Sequence, residues 1–138
     1  GLAMAIELMQ ANRRAEVKRL HGLQNLFVNN MGKIENTINY HGPKFQDRAA
    51  HIINFSVAGC DGEELAAYLD TEGFSVATGA ACQAGSEQPS HVLLAIGVVP
   101  ESAQSSLRIS FGRSTQVHDI EDLTRVMIKI ITKLRRRK

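Results

Sequence analysis

Leu2, Ile6, Met9, Val17, Leu20, Leu23, Phe27, Met31 and Ile34 recur at helical spacing through the first quarter of the chain, and Arg13, Arg14, Lys18 and Arg19 fall on the other side. That stripe commits the segment to one long amphipathic helix, with Gly22 as the point where it can bend. The stripe is already under way at Leu2, with no capping residue ahead of it, which predicts a native chain that begins further upstream.

The period then changes. His41-Gly42-Pro43 breaks the helical pattern, and His51-Ile52-Ile53-Asn54-Phe55-Ser56-Val57 has the β-branched and aromatic content of a strand. Asp61 followed by Glu64 resembles a capping box, Leu65, Ala66 and Leu69 supply an apolar face, and Gly73 stops that helix. A brief extended piece over residues 74–78 leads into Gly79-Ala80-Ala81-Cys82-Gln83-Ala84-Gly85-Ser86, whose side chains are too small to build a core and suit a loop. A short helix follows, with Pro89 in its first turn and Gly97 at its end. Leu107, Ile109 and Phe111 alternate with Arg108 in the next strand, and a final amphipathic helix runs from a cap at Thr115 to Leu134. The order helix, strand, helix, strand, loop, helix, strand, helix predicts an α+β fold: a small, mainly antiparallel sheet with helices packed on one face.

At 138 residues the chain suits one domain, and 43% apolar with 22% charged residues is the balance of a folded globular protein. A formal charge of +2, much of it in the tail Lys133-Leu134-Arg135-Arg136-Arg137-Lys138, is too small to imply nucleic-acid binding. No apolar run is long enough to span a bilayer, and Gly1-Leu2-Ala3-Met4-Ala5-Ile6-Glu7 lacks the form of a secretory signal. The two cysteines, Cys60 and Cys82, stand in unlike contexts, which argues against a disulfide framework and for a reducing, cytoplasmic setting.

Cys82 is the candidate for chemistry. It lies among Gly, Ala and Ser shortly before a helix whose N-terminal end favours a thiolate. Taken alone, the residues leave open that it is one more small buried side chain beside Ala80, Ala81 and Ala84. Spacing excludes other chemistries: Gly85 is followed by Ser86-Glu87 rather than the Lys-Ser/Thr of a phosphate loop. Gln88 stands where a cysteine phosphatase needs arginine, and no Cys-x-x-Cys pair offers a metal or dithiol site.

The run Ala77-Thr78-Gly79-Ala80-Ala81-Cys82-Gln83-Ala84-Gly85-Ser86-Glu87-Gln88-Pro89-Ser90-His91-Val92-Leu93-Leu94-Ala95-Ile96-Gly97 resembles the active-cysteine segment of cysteine desulfurases, which are pyridoxal-phosphate-dependent relatives of class V aminotransferases. Ser105-Ser106-Leu107-Arg108-Ile109-Ser110-Phe111-Gly112-Arg113 resembles the same family's next signature. The likeness covers essentially the whole chain and implies the C-terminal small domain of such an enzyme, residues 1–138, without its large cofactor-binding domain. It further implies that Cys82 takes sulfur from L-cysteine as a persulfide and that Arg108 grips the substrate carboxylate, with a homodimeric full-length protein. The sulfur would pass to an iron–sulfur scaffold or a tRNA-thiolation enzyme. Gly79-Ala80-Ala81 and Gln83 depart from the usual pattern and leave the acceptor open.

Arg113 is expected to be structural or near the domain interface, His91 a packing or surface residue, and Cys60 an inert residue at a strand end. Lys44 follows Gly42-Pro43, whereas the family's cofactor lysine follows a histidine and precedes Gly-Pro, so Lys44 is not assigned that role. Desulfuration by this chain alone is therefore expected to be nil, and no metal is expected. A stand-alone persulfide carrier, or the small domain of a related aminotransferase or selenocysteine lyase, is the competing expectation.

Overall fold

The computed structural model describes residues 1–34, 36–44, 47–78 and 89–137. In chain order they form α1 (Leu2–Met31) with a short 3₁₀ turn, β1 (Ile38–Tyr40), β2 (Ile52–Val57), α2 (Gly62–Thr71), β3 (Ala77–Thr78), α3 (His91–Ala95), α4 (Pro100–Gln104), β4 (Ser106–Ser110) and α5 (Val117–Arg135). The four strands make one sheet in the order β1-β2-β4-β3, every neighbouring pair antiparallel. This is the expected α+β architecture.

Alternation along β2 and β4 divides the sheet into two unlike faces. Ile53, Phe55, Val57, Leu107 and Ile109 point to one face and are buried in the main core. Against them pack the C-terminal half of α1, through Leu20, Leu23, Phe27 and Met31, and the apolar stripe of α5, from Ile120 to Leu134. Phe27 and Phe55 meet with ring centroids 5.4 Å apart and planes tilted by 44°, an aromatic contact that ties helix to sheet. Gln24 is fully buried among these residues; its amide donates to the carbonyls of Ala49 and Ile52 at 2.9 and 3.0 Å and so fixes the entry to β2.

The opposite face carries Asn54, Ser56, Ser106, Arg108 and Ala77. At one end it is closed by α4: the buried Ser106 hydroxyl donates to the Ala103 carbonyl at 2.7 Å, and Ala103 is itself buried outside the main core. Towards Ser110 the same face is open to solvent.

Three local features differ from expectation. The strand β1 lies immediately before the His41-Gly42-Pro43 break; three residues are too few to show a period. The helix α4 begins with Pro100 at its first turn, directly after α3, where only one helix was expected. Thr115 does not cap α5: its hydroxyl accepts from the Gly112 amide, and Gln116 with Asp119 forms the capping box instead. Asp61 caps α2 as expected, accepting from the Glu64 amide at 2.9 Å, and α1 continues through Gly22 as helix.

Gly62, at the start of α2, sits where a Cβ would come within 2.7 Å of the Gln104 carbonyl and 3.0 Å of that of Ser106. Both obstacles are backbone, so the sheet edge and helix would have to separate. Gly62→Ala is expected to destabilise the chain by about 1–3 kcal/mol and Phe27→Ala by about 3–5 kcal/mol, read as lowered urea midpoints with unchanged slope.

Candidate functional site

The polar face of the sheet holds a strong hydrogen-bonding cation on an interior strand. Arg108 is central in β4, an interior strand, between Asn54 of β2 and Ala77 of β3. Its side chain is half-buried, and among the described residues it has no hydrogen-bond or ion-pair partner. A planar fork of N–H donors held this way is suited to a carboxylate. The strand β3 beside it runs directly into residues 79–88, so Cys82 lies outside the described residues, and its expected role rests on the sequence.

The backbone pairing around Arg108 is well determined. The His41 amide donates to the Asn54 carbonyl at 2.9 Å, so the backbone polar groups of Asn54 turn towards β1. The amides of Val57 and Phe111 bond to the carbonyls of Ser105 and His51, so the odd-numbered residues of β2 carry the ladder to β4. Asn54 and Arg108 are therefore a non-hydrogen-bonded antiparallel pair, the kind in which side chains approach most closely. The Asn54 Oδ1 and Ser56 Oγ atoms are buried, and neither has a hydrogen-bond partner among the described residues.

The turn after β4 is clamped to α1. Arg19 donates to the carbonyls of Thr115 at 2.6 Å, Gly112 at 3.0 Å and Arg113 at 3.4 Å, while Glu16 holds it through bonds of 2.7 and 2.9 Å. The Arg19 hydrogen bond, helped by Arg113, holds the Glu16 carboxyl below its usual range. Arg113 is exposed and takes part in this clamp through its backbone carbonyl. Periodicity places Arg19 only on the polar side of a helix; a contact across more than ninety residues leaves no periodic trace.

A cleft of about 510 Å³ opens between the end of β1 and the α3–α4 connection, lined by Tyr40, His41, Pro43, Ile96, Val99 and Ser102 among others. Burial, opposed weakly by Arg48, raises the Tyr40 hydroxyl to about 12. Burial, then the charge of Arg48, lowers the His41 imidazole below its usual range. Arg48 donates to the Pro43 carbonyl and so sits on the same turn.

The other sequence candidates lie elsewhere. His91 is exposed at the start of α3, Lys44 is exposed on the turn after β1, and Cys60 is buried in the core just after β2. Among the described residues there is no group of three or more potential metal ligands, and no helix is long and apolar enough to cross a membrane.

Comparison with known proteins agrees with this architecture. The family described as aminotransferase class-V matches residues 1–123. "Cysteine desulfurase IscS" of Dictyoglomus turgidum is 38% identical over 135 residues, covering 98% of this chain and 34% of that protein. The protein of the same name from Methanosarcina thermophila is 35% identical over 136 residues, covering 98% and 33%. Among solved structures, a "NifS-like protein" superimposes with a TM-score of 0.80 at 20% identity over 95% of this chain and 32% of its own. The apo structure of a cysteine desulfurase from Thermococcus onnurineus NA1 gives 0.72 at 21% identity, covering 96% and 30%. The chain thus spans about a third of the length of these relatives.

The lowered His41 pKa has a pH consequence with a definite sign. The unfolded imidazole takes a proton near pH 6.5, and the folded one only at lower pH. Stability is therefore complete above about pH 6.5 and is lost as pH falls through the folded value. His41→Asn should reduce the loss of stability between pH 7.5 and 5.0, measured by urea unfolding at each pH; an identical loss in both proteins would contradict the assignment.

Proposed function

Because the chain belongs to the class-V aminotransferase family, we propose that it is the C-terminal small domain of a cysteine desulfurase, in which Cys82 receives sulfur and Arg108 holds the substrate carboxylate. The observation that carries this reading is the setting of Arg108: a half-buried guanidinium on the polar face of an interior strand, paired on one side with the strand from which the Cys82 segment departs. Cys82 lies four residues beyond Thr78, a tether that can extend no more than about 14 Å. A substrate held by Arg108 is therefore within range of a thiol on that tether. The 38% identity to cysteine desulfurases across nearly the whole chain supports the same assignment.

The described residues do not by themselves form a pyridoxal phosphate site. All five described lysines, Lys18, Lys33, Lys44, Lys129 and Lys133, are exposed, and none lies on the polar face with Arg108. Cofactor and its lysine are accordingly assigned to the remaining two thirds of the length seen in the relatives. The N-terminal half of α1 supports that division, because Leu2, Met4, Leu8 and Met9 continue its apolar residues into solvent, with Leu2 78% exposed. Such a surface is suited to covering by another domain.

In this reading the Arg108 fork engages both oxygens of the L-cysteine carboxylate and fixes where the substrate sulfur stands. The Cys82 thiolate attacks that sulfur. An S–S bond forms as the substrate's Cβ–S bond breaks, its electron pair passing into the conjugated system that pyridoxal phosphate, held by the rest of the enzyme, would supply, and protonation at Cβ completes L-alanine. The product on the protein is a Cys82 persulfide, which an acceptor protein then removes. We assign the full-length enzyme to the cytoplasm as a homodimer, with iron–sulfur assembly or tRNA thiolation as the destination of its sulfur.

In the full-length, cofactor-loaded protein, Cys82→Ser should abolish sulfide release from L-cysteine in the presence of a thiol reductant while leaving the pyridoxal absorbance intact. Arg108→Gln should raise KM for L-cysteine about 10- to 100-fold, the range set by loss of a charge-assisted hydrogen bond. Undiminished sulfide release from the Cys82 variant would overturn the role of that thiol.

A further inference from the structure

We propose that Asn54 is a positioning residue for Arg108: its Oδ1 accepts an N–H of the guanidinium and fixes the plane in which the fork meets a substrate carboxylate. This rests on the reading of Arg108 given above and adds to it a residue that the sequence placed simply inside a strand.

Three observations lead to it. Asn54 and Arg108 are directly opposite in the β2–β4 register and share the polar face. They form a non-hydrogen-bonded pair, as the Asn54 carbonyl's bond to the His41 amide requires, so their Cβ atoms stand about 4.5–5.5 Å apart. Asn54 Oδ1 is buried and lacks a hydrogen-bond partner among the described residues, a costly state for an amide oxygen.

An amide oxygen can be satisfied only by a donor, and it repels the carboxylate that Arg108 is built to bind. Besides Arg108 the donors available on this face are few: the His41 imidazole stands opposite Asn54 on the β1 side with its Nε2 buried and without a partner among the described residues, and an effect carried by His41 would persist in an Arg108→Gln background. Ser106 spends its hydroxyl on the Ala103 carbonyl, and Ala77, across from Arg108 on the other side, has none to offer. Ser56 lies two residues along the same strand, about 7 Å away. Arg108 has five N–H groups; a bidentate carboxylate takes two and leaves three. One of these can reach the amide while the fork remains engaged, so substrate binding and satisfaction of Asn54 reinforce one another.

The test uses the full-length holoenzyme. Asn54→Ala should raise KM for L-cysteine and the inhibition constant of L-alanine about tenfold, with kcat and the pyridoxal absorbance within twofold of the parent. Inhibition by cysteamine, which has no carboxylate, should not change. In an Arg108→Gln background the same substitution should add nothing further, because its effect passes through the arginine. Should Asn54→Ala fail to fold, Asn54→Asp carries the same test: its carboxylate occupies Arg108 and raises KM for L-cysteine without affecting cysteamine.

Unchanged L-cysteine and L-alanine constants in the Asn54 variants, alongside a raised KM in Arg108→Gln, would overturn this inference and leave the role of Arg108 standing. Equal weakening of cysteamine, or a further tenfold loss in the Arg108→Gln background, would likewise overturn it. If Arg108→Gln itself leaves both constants unchanged, the reading of Arg108 fails and the inference falls with it.

Discussion

The pairing of β2 with β4 is the constraint on which the rest of the molecule depends. Side chains alternate along a strand, so this register sends Ile53, Phe55, Leu107 and Ile109 into the core and at the same time turns Asn54, Ser56 and Arg108 the other way. A slip of one residue would bury a guanidinium among phenylalanines and expose the core, so the register holds a partly buried arginine here with no ion pair among the described residues. Stability and site placement come from one set of backbone hydrogen bonds.

The helices on the core face hold this arrangement at both ends. The α1–α5 layer buries the apolar side, and Gln24 and Arg19 reach from α1 to the two places where the chain enters β2 and leaves β4. Both do so by donating to main-chain carbonyls, a kind of contact that depends on the path of the backbone and little on which residue supplies it. At the other end α4 closes the polar face over Ser56 and Ser106. Burial on that face decreases from Ser106 through Arg108 to Ser110, which leaves the arginine sheltered on one side and reachable on the other.

In the proposed reading this chain is one part of a larger enzyme. Arg108 would supply its carboxylate-binding cation and Cys82 its tethered thiol, while the described lysines are all exposed and the outer half of α1 carries apolar residues into solvent. In that reading a tethered thiol and an arginine fixed in a strand would separate two requirements: the substrate must be held still, and the sulfur must afterwards leave on a side chain that another protein can reach.

Periods of two or 3.6 residues, which local sterics impose, made legible the order of α1, β2, α2, β3, α3, β4 and α5, the α+β class and the assignment of Leu107, Ile109 and Phe111 against Arg108. Capping at Asp61 was legible for the same reason, and the family signatures around Cys82 and Arg108 carried the functional expectation. Tertiary structure decided what no period records: the three-residue strand β1, the second short helix α4, the transfer of the α5 cap from Thr115 to Gln116, the Arg19 clamp and the juxtaposition of Asn54 with Arg108. Strand order and register bring residues 54 and 108 together, and those follow from the burial of both inner faces at once, a condition on the whole chain and not on any segment of it.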